Sequence, residues 1–467
     1  MYCFAFQGNR GLFEPDEGRY SAVALQMIKS NDWLVPHTHP QHEHWTKPPL
    51  TYWAIAGSIL TFGMNEFAVR FTNVMSFFLC IIIAFYLGKI FVPKRPWLVS
   101  LIYGTFLFPA TMCNGATTDF LMTMWQALAV CFFAHAFWGK GNKQGLLVFL
   151  AWFSFGLAFL TKGPPALLPL GSILLFLQMK PSDTRAFSMR WFRGLLILFL
   201  VGGSWFFVVI SQKPELLRYF LWDEIVLRVF SSHHQRHPHW YAPLYIYVPI
   251  LIFGTLPWSY YTGKGFIKSL RNAKRHLVSE FDENNIKGTF LILWLFVPLT
   301  IFFISQSNLP LYILPLFIPL SIITSKEIER SNISIYKMRY RIGIWCVFIV
   351  LTRILMGSLD FNKDSSKLAD QIKQYHSEPV EEFVFVNTPP ALGLQFYTGA
   401  DVKEITMIFE NSDNHFESKQ GQIWVVLQQE VEKFRQEAKE NNIPMKELGL
   451  IKSRQDYVLF KNLDGRI

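Results

Sequence analysis

Carboxylates and an arginine stand together near the start of the chain, in a spacing that suits chemistry on a phosphate ester. Asp16 and Glu17 are adjacent, and Arg19 follows them within the run Leu12–Tyr20 (LFEPDEGRY). A carboxylate can act as a general base, and a neighbouring guanidinium can bind phosphate oxygens through two parallel hydrogen bonds. The structural alternative is that Asp16 caps the following helix while Glu17 stabilises its positive end.

Further polar side chains stand where apolar runs begin or end. Lys47 precedes two prolines, and Lys162 lies in a Thr-Lys-Gly-Pro turn. Either cation could neutralise a lipid phosphate, although a lysine at this depth can also simply extend its amine to the membrane surface. Asp119 is either a second acid of the site or a helix cap. Tyr312 is either a ligand or one of the aromatic residues that line membrane interfaces.

Histidine is distributed unevenly. Eight of the twelve histidines fall in two segments: His37, His39, His42 and His44, then His233, His234, His237 and His239. Imidazoles from two loops could hold a divalent metal such as zinc. Neither spacing is a diagnostic metal motif, so two solvated polar loops are the alternative.

The composition decides the environment of these groups. Of the 467 residues, 51% are hydrophobic and only 17% are charged, whereas about a quarter of a typical globular chain is charged. The net charge of +10 resides mainly between the apolar runs. We therefore expect a membrane protein, and we do not expect it to bind nucleic acid. The five scattered cysteines favour neither a disulfide framework nor a thiolate metal site.

Ten apolar runs approach the length of roughly 17 to 25 residues that a spanning helix needs. They fall at about 68–91, 97–113, 119–138, 145–160, 165–179, 194–211, 243–262, 289–304, 309–324 and 341–357. Several are short and flanked by proline, which is typical of tilted, kinked or partly re-entrant helices.

The connecting segments predict the orientation. The segments that connect the predicted spans fall alternately on the two sides of the membrane. Lysine and arginine are denser in the segments of one side, at 92–96, 139–144, 180–193, 263–288 and 325–340, than in those of the other. Because basic loops stay in the cytoplasm, residues 1–67 and 358–467 are expected outside. The first outer segment then lacks a spanning helix before it, and no signal peptide is visible.

The chain is thus predicted to have three domains. Residues 1–67 form a first outer loop with interfacial amphipathic helices, such as Asp16–Asn31. Residues 68–357 form a transmembrane helical domain, and 358–467 a small soluble α/β domain outside the membrane. In the last domain the pattern predicts strands Glu382–Val386, Ile423–Leu427 and Tyr457–Lys461 and a helix Val431–Asn441.

Seven short runs, in order, carry a resemblance to a known family. They are LFEPDEGRY at Leu12–Tyr20, DWLVPH at Asp32–His37, KPPLTYW at Lys47–Trp53, NEFAVR at Asn65–Arg70, TKG at Thr161–Gly163, GTLPW at Gly254–Trp258 and LPLYILP at Leu309–Pro315. Together they resemble the C-type glycosyltransferases that include the lipid A aminoarabinose transferases and the protein O-mannosyltransferases. The aminoarabinose branch is nearer.

The resemblance implies a polytopic α-helical membrane fold of about ten spans. It also implies inverting transfer of a sugar from a polyprenyl-phosphate carrier on the outer face of a bacterial inner membrane. The expected acceptor is lipid A or another envelope glycolipid, and the alternative is a protein hydroxyl. A lipid-linked sugar transporter or flippase is the alternative from another class, but it should carry charges deep within its spans.

By carry-over, the resemblance also assigns roles to the residues named above. Asp16, Glu17 and Asp119 become the catalytic acids; Arg19, Lys47, Lys162 and Tyr312 become the ligands of the carrier phosphate. All are expected to meet in one pocket above the lipid tails. The family holds a metal with a Glu just before the loop lysine and a later His, but Thr46 stands at that first position. His44 or Glu43 could take its place, and His234 is the candidate from the later loop, as ligands for a divalent metal such as zinc.

Overall fold

The computed structural model describes residues 2–139, 141–179, 187–227, 239, 241–278, 283–406, 421–441, 443–453 and 455–462. The chain forms two compact units. Unit 1 comprises Met1–Ala5, Thr46–Thr51 and Thr72–Arg353, and unit 2 comprises Phe6–Trp45, Tyr52–Phe71 and Ile354–Ile467.

Helices account for most of the described chain. In order they are α1 (Asp16–Ser30), α2 (Leu50–Phe62), α3 (Glu66–Phe91), α4 (Trp97–Thr105), α5 (Leu107–Met112), α6 (Thr118–Trp138), α7 (Gln144–Lys162), α8 (Leu168–Gln178), α9 (Trp191–Gln212), α10 (Glu215–Arg218), α11 (Ala242–Phe253), α12 (Ser259–Val278), α13 (Glu283–Ile304), α14 (Phe317–Arg330), α15 (Ile335–Ser358), α16 (Ser365–Tyr375), α17 (Leu394–Thr398) and α18 (Val431–Glu440). Tight 3-10 turns precede α8 at Pro164–Leu167 and α14 at Pro310–Leu316.

The expected multi-span helical fold is confirmed, with fewer full-length spans than the sequence predicts. Seven stretches of the described chain are long and apolar enough to cross a membrane: Glu66–Phe91, Thr118–Trp138, Gln144–Lys162, Trp191–Gln212, Asn285–Ile304, Pro310–Arg330 and Ile335–Ser358. The predicted span 97–113 is two helices, because Phe106 between α4 and α5 has an extended backbone. The predicted span 243–262 is also divided, since α11 ends at Phe253 and α12 begins at Ser259.

The surface of α15 shows what surrounds the helices of unit 1. Ile344, Val347 and Leu351, all within unit 1, are each more than half exposed along this one helix. A continuous apolar face of this kind is unfavourable in water but neutral against lipid tails. This surface is therefore the lipid-facing side of the unit.

Unit 2 contains α1 and a mixed β-sheet. Helix α1, which lies within the predicted amphipathic segment Asp16–Asn31, buries Tyr20, Val23, Ala24 and Met27. The strands are β1 (His37–His39), β2 (His42–Glu43), β3 (Glu382–Val386), β4 (Asp401–Ile405), β5 (Gln422–Leu427), β6 (Met445–Lys452) and β7 (Asp456–Asn462). The first two form a small hairpin, and the other five form a sheet of order β4-β3-β5-β7-β6.

The five-stranded sheet is parallel on one side and antiparallel on the other. Strand β3 runs parallel to β4 and β5, whereas β7 runs antiparallel to β5 and β6. Alternate residues of β3 are buried on opposite faces: Phe383 and Phe385 pack with α16, and Val384 and Val386 pack with α18. A sheet covered on both faces explains why β3 and β5 read as continuous apolar runs.

Candidate functional site

Asp119 and Lys162 meet in unit 1, at the start of α6 and the end of α7. The Lys162 ammonium lies 2.5 Å from Asp119 Oδ1, and both side chains are buried. Thr117 is the N-cap of α6, since its hydroxyl accepts the hydrogen bond of the Asp119 backbone N–H at 3.3 Å. The capping alternative for Asp119 is therefore wrong, because Thr117 holds that position and the Asp119 carboxylate is directed to a cation.

Tyr312 completes this cluster. The Lys162 ammonium lies 4.7 Å from the centroid of the Tyr312 ring, within the range of a cation–π interaction. Three residues that the sequence singled out separately, Asp119, Lys162 and Tyr312, thus come together in the folded chain.

The backbone around Lys162 is held by hydrogen bonds from α6. The Gln126 side-chain amide donates to the carbonyls of Pro165 and Ala166 at 3.1 and 3.0 Å. Gly163, which follows the lysine, has φ +77, a conformation that residues with a Cβ rarely adopt. This turn fixes the end of α7, and with it the direction of the Lys162 side chain.

Lys47, the other lysine predicted to bind the carrier phosphate, also lies in unit 1 beside a carboxylate. Its ammonium is 3.9 Å from Glu224 Oε2 and donates to the Thr46 carbonyl at 2.9 Å. The other Glu224 oxygen accepts a hydrogen bond from the Tyr219 hydroxyl at 3.1 Å. Glu224 was not among the predicted site residues, although an acid in a predicted outer segment was an available signal.

Asp16 and Arg19 form an ion pair at the start of α1 in unit 2. Arg19 Nη2 lies 2.6 Å from Asp16 Oδ1, and the Asp16 side chain is 57% exposed. The N-cap residue of α1 is Pro15, and the cap makes no side-chain hydrogen bond. The capping alternative for Asp16 is therefore wrong, and its carboxylate remains accessible to a reactant.

Glu17, by contrast, is buried and held by two arginines. Arg70 Nε donates to Oε1 at 2.8 Å, Arg10 Nη1 donates to Oε2 at 2.6 Å, and the Phe13 N–H also donates to Oε2 at 2.9 Å. Burial alone would raise the pKa of Glu17, but the charges and hydrogen bonds of Arg70 and Arg10 lower it to about 2. These contacts favour a structural role, and the catalytic role of Glu17 stays a prediction.

Arg70 is central to this arrangement and was not among the predicted site residues. Besides Glu17 it donates to the backbone carbonyls of Gln7, Arg10 and Gly11 at 2.7, 3.0 and 2.7 Å. It thereby fixes the segment that precedes α1. A cation in the first turns of an apolar span usually has a purpose, so the sequence did contain a signal for it.

Glu14 is a second acid that the sequence analysis left unassigned. Its Oε1 accepts hydrogen bonds from the Gly393 N–H at 2.6 Å and the Ser365 hydroxyl at 2.8 Å. Burial raises the pKa of Glu14 to about 7, although both hydrogen bonds oppose the shift. Glu14 therefore titrates near neutral pH, two residues before Asp16.

Of the candidate zinc ligands His44 and His234, the first lies within the described residues of the chain. The His44 N–H donates to the Pro36 carbonyl at 2.7 Å, and its ring lies 6.2 Å from that of Tyr52. His234 lies outside the described residues. Within the described ranges no group of three or more His, Cys, Asp or Glu side chains is arranged to hold a metal. Zinc binding through these residues therefore stays a prediction, and no step below depends on it.

Comparison with known proteins defines the class to which this arrangement is related. Residues 46–209 match the family described as dolichyl-phosphate-mannose-protein mannosyltransferase. The undecaprenyl phosphate-alpha-4-amino-4-deoxy-L-arabinose arabinosyl transferase of Edwardsiella ictaluri is 32% identical over 71% of this chain and 58% of its own length. The transferase of the same name from Pseudomonas aeruginosa is 30% identical over 68% of this chain and 55% of its own length.

Solved structures agree on the fold. ArnT from Cupriavidus metallidurans in the apo state superposes with a TM-score of 0.76, covering 98% of this chain and 95% of its own, at 16% identity. The same protein bound to undecaprenyl phosphate gives a TM-score of 0.75 at 17% identity, covering 98% of this chain and 96% of its own. At these identities the likeness shows the fold alone.

The resemblance drawn from the seven runs is thus confirmed. The chain is similar to the C-type glycosyltransferases, and it is nearer to their bacterial aminoarabinose branch than to the protein mannosyltransferases. It spans a little over half the length of the curated relatives that it matches.

Proposed function

We propose that the protein is an inverting glycosyltransferase that moves an amino sugar from undecaprenyl phosphate to an envelope glycolipid of the lipid A type. The names of the relatives indicate the donor and the sugar class, and the multi-span fold gives access to a carrier lipid. The reaction takes place on the outer face of the bacterial inner membrane, on the side indicated by the sparse basic residues of the outer segments.

The observation that carries this proposal is the buried cluster of Asp119, Lys162 and Tyr312. An ammonium in poorly hydrated surroundings stabilises a nearby anion far better than water does. Asp119 holds Lys162 in position at 2.5 Å, and Tyr312 offers a ring face to the cation. We assign Lys162 to the carrier phosphate and Asp119 to the positioning of Lys162.

The chemistry needs little beyond such charges. The bond between the anomeric carbon and the carrier-phosphate oxygen breaks, and its electron pair remains on that oxygen. The acceptor oxygen forms the new bond from the opposite face, so the configuration is inverted. Negative charge therefore develops on the leaving phosphate, and cations such as Lys162 and Lys47 stabilise it as it forms.

The fate of the acceptor proton depends on the acceptor. A hydroxyl must lose a proton, and Asp16 is assigned to take it because its carboxylate is accessible and paired with Arg19. An ionised phosphate of a glycolipid has no proton to lose, so Asp16 would then orient the acceptor. The roles of Asp16 and Arg19 rest on the family resemblance and stay predictions.

Transfer to a protein hydroxyl is the second candidate, favoured by the description of the matching family. The two candidates share a donor and differ in the acceptor. The experiment therefore offers purified full-length protein an undecaprenyl-phosphate amino sugar with either lipid A or a serine-rich polypeptide. Mass spectrometry identifies which acceptor gains the mass of one sugar.

The matched pair of variants is Lys162→Gln and Lys143→Gln, which remove a lysine from opposite ends of α7. Lys143 is exposed and immediately precedes the helix. We expect Lys162→Gln to lose on the order of a hundredfold in turnover and Lys143→Gln to retain it. If no acceptor gains a sugar and the donor instead moves across vesicle membranes, the protein is a transporter and the transferase proposal is wrong.

A further inference from the structure

A cavity of about 560 Å³ opens in unit 1 beside the first turns of α15. The side chains that line it include Arg95, Trp97, Leu101, Tyr336, Arg339 and Ile342. They come from the segment before α4, from α4 itself and from α15. None of them belongs to the cluster assigned to sugar transfer.

Two guanidinium groups, those of Arg95 and Arg339, line this cavity. Arg95 Nη1 donates to the Ile333 carbonyl at 3.1 Å. The Arg339 guanidinium lies 3.8 Å from the centre of the Tyr336 ring and donates to the Tyr340 hydroxyl at 3.0 Å. Neither arginine forms an ion pair with any carboxylate among the described residues. Two cations that line one cavity favour an anionic occupant.

The surroundings locate the cavity at the boundary between lipid tails and water. It lies at the beginning of α15, whose following turns carry the lipid-facing Ile344, Val347 and Leu351. Trp97 and Tyr336 are exposed beside it. Exposed tryptophan and tyrosine next to arginine are typical of the level of the phospholipid headgroups.

We propose that this cavity binds the phosphate headgroup of an anionic phospholipid, with its acyl chains lying along the apolar face of α15. Arginine binds a phosphodiester through paired N–H groups. The tyrosine ring under Arg339 keeps that guanidinium in place. Helices α4 and α15 both begin at this cavity, so the positive ends of their dipoles add to the same field.

The test measures lipid binding to the delipidated full-length protein in detergent, with phosphatidylglycerol as the probe and phosphatidylcholine as the neutral comparison. The cavity variant is Arg95→Gln/Arg339→Gln. The control variant, Lys337→Gln/Arg341→Gln, also removes two charges from this region but changes exposed residues that do not line the cavity. We expect the cavity variant to bind phosphatidylglycerol on the order of tenfold more weakly, and the control to bind it about as well as the wild type.

Three outcomes would overturn the proposal. Equal losses in both variants would mean a diffuse basic surface in place of a built cavity. Displacement of the lipid by inorganic phosphate would make the cavity a site for a free anion. Equal binding of phosphatidylcholine would make it an apolar groove.

Arg339→Gln alone is measured as well, because Arg95 also holds the Ile333 backbone and the double variant could fold poorly. Its expected loss is smaller than that of the pair but in the same direction. An unchanged affinity in this single variant would count against the site. The assay contains no sugar donor, so its result is independent of the proposed transferase activity.

Discussion

The Lys162 ammonium lies 2.5 Å from Asp119 Oδ1, with both side chains buried at the ends of two different helices. The lysine is the last residue of α7, and the aspartate is in the first turn of α6. A buried pair of this kind is costly to break on one side only, because the remaining charge is left without compensation. The same two side chains therefore stabilise the ends of α6 and α7 and take part in the proposed reaction.

Asp119→Ala is expected to lower the free energy of unfolding by about 3 to 5 kcal/mol, because Lys162 then keeps a buried charge without its partner. Thermal unfolding in detergent measures the change. The double variant Asp119→Ala/Lys162→Met should recover part of the lost stability but none of the turnover. Full recovery of turnover in the double variant would remove this pair from the mechanism.

The variants Glu17→Gln and Asp16→Asn distinguish a carboxylate that stabilises the fold, Glu17, from one that is proposed to act in catalysis, Asp16. Glu17 compensates the charges of Arg10 and Arg70 in a buried setting, so Glu17→Gln should destabilise by about 3 to 5 kcal/mol. Asp16 is exposed, so Asp16→Asn should change stability by less than about 0.5 kcal/mol. If the acceptor is a hydroxyl, the Asp16→Asn variant should nevertheless lose about a hundredfold or more in turnover.

The reverse pattern would contradict these assignments. A stable Glu17→Gln with lost turnover would make Glu17 the reacting acid. An Asp16→Asn variant that turns over at the wild-type rate with a hydroxyl acceptor would remove Asp16 from its role.

Glu14 gives a pH dependence whose sign is determined by its raised pKa. Above pH 4.5 an unfolded chain ionises this carboxyl, whereas the folded protein keeps the proton until about pH 7. Folded protein then binds more protons than unfolded protein, so this group makes stability fall as the pH rises from about 4.5 to about 7.

The measurement is the unfolding temperature across this range in the wild type and in Glu14→Gln. The amide stays neutral and can still accept from the Gly393 N–H, so the variant should lose most of this part of the pH dependence. Asp16→Asn is the comparison variant, since it removes an exposed carboxyl from the same segment. An identical slope in the wild type and in Glu14→Gln would show that other groups titrate there.

Glu224→Gln tests whether the carboxylate beside Lys47 positions that lysine. Its Oε2 lies 3.9 Å from the Lys47 ammonium. Loss of this charge should raise KM for the carrier-linked donor several-fold while kcat changes less. Asp223→Asn removes the neighbouring charge and is the matched control. A lower KM in Glu224→Gln would show instead that the carboxylate competes with the carrier phosphate for Lys47.

Periodicity and hydropathy were sufficient for most of the helical framework. The predicted run 119–138 corresponds to α6 at Thr118–Trp138, and the predicted strand Glu382–Val386 coincides with β3. The run 97–113 was wrong as one span because Phe106 adopts an extended conformation within it. Mean hydropathy does not depend on the backbone angle of a single residue, so it cannot predict where a helix is interrupted within an apolar run.

In the candidate site, too, local sequence identified individual residues but not partners that are distant along the chain. Asp119, Lys162 and Tyr312 were each identified by charge or phenol at the end of a run, and they do come together. The pairing of Glu17 with Arg70 joins residues 53 positions apart, and a spacing rule cannot supply such a partner. Strands β4 and β6 were missed for a related reason, because their partly exposed sequences alternate weakly.

The hydrogen bond between Glu14 and the backbone of Gly393 spans 379 positions of the chain. At a synthesis rate of 5–20 residues per second, roughly 20 to 80 s separate the emergence of the two partners from the ribosome. Arg10 and Arg70 emerge long before Gly393. Their ion pairs with Glu17 can therefore form before the strands of the five-stranded sheet have been synthesised. The segment at the start of α1 can therefore be fixed in two stages. Arg10 and Arg70 neutralise Glu17 early, and Glu14 makes its contacts to Ser365 and Gly393 near the end of translation.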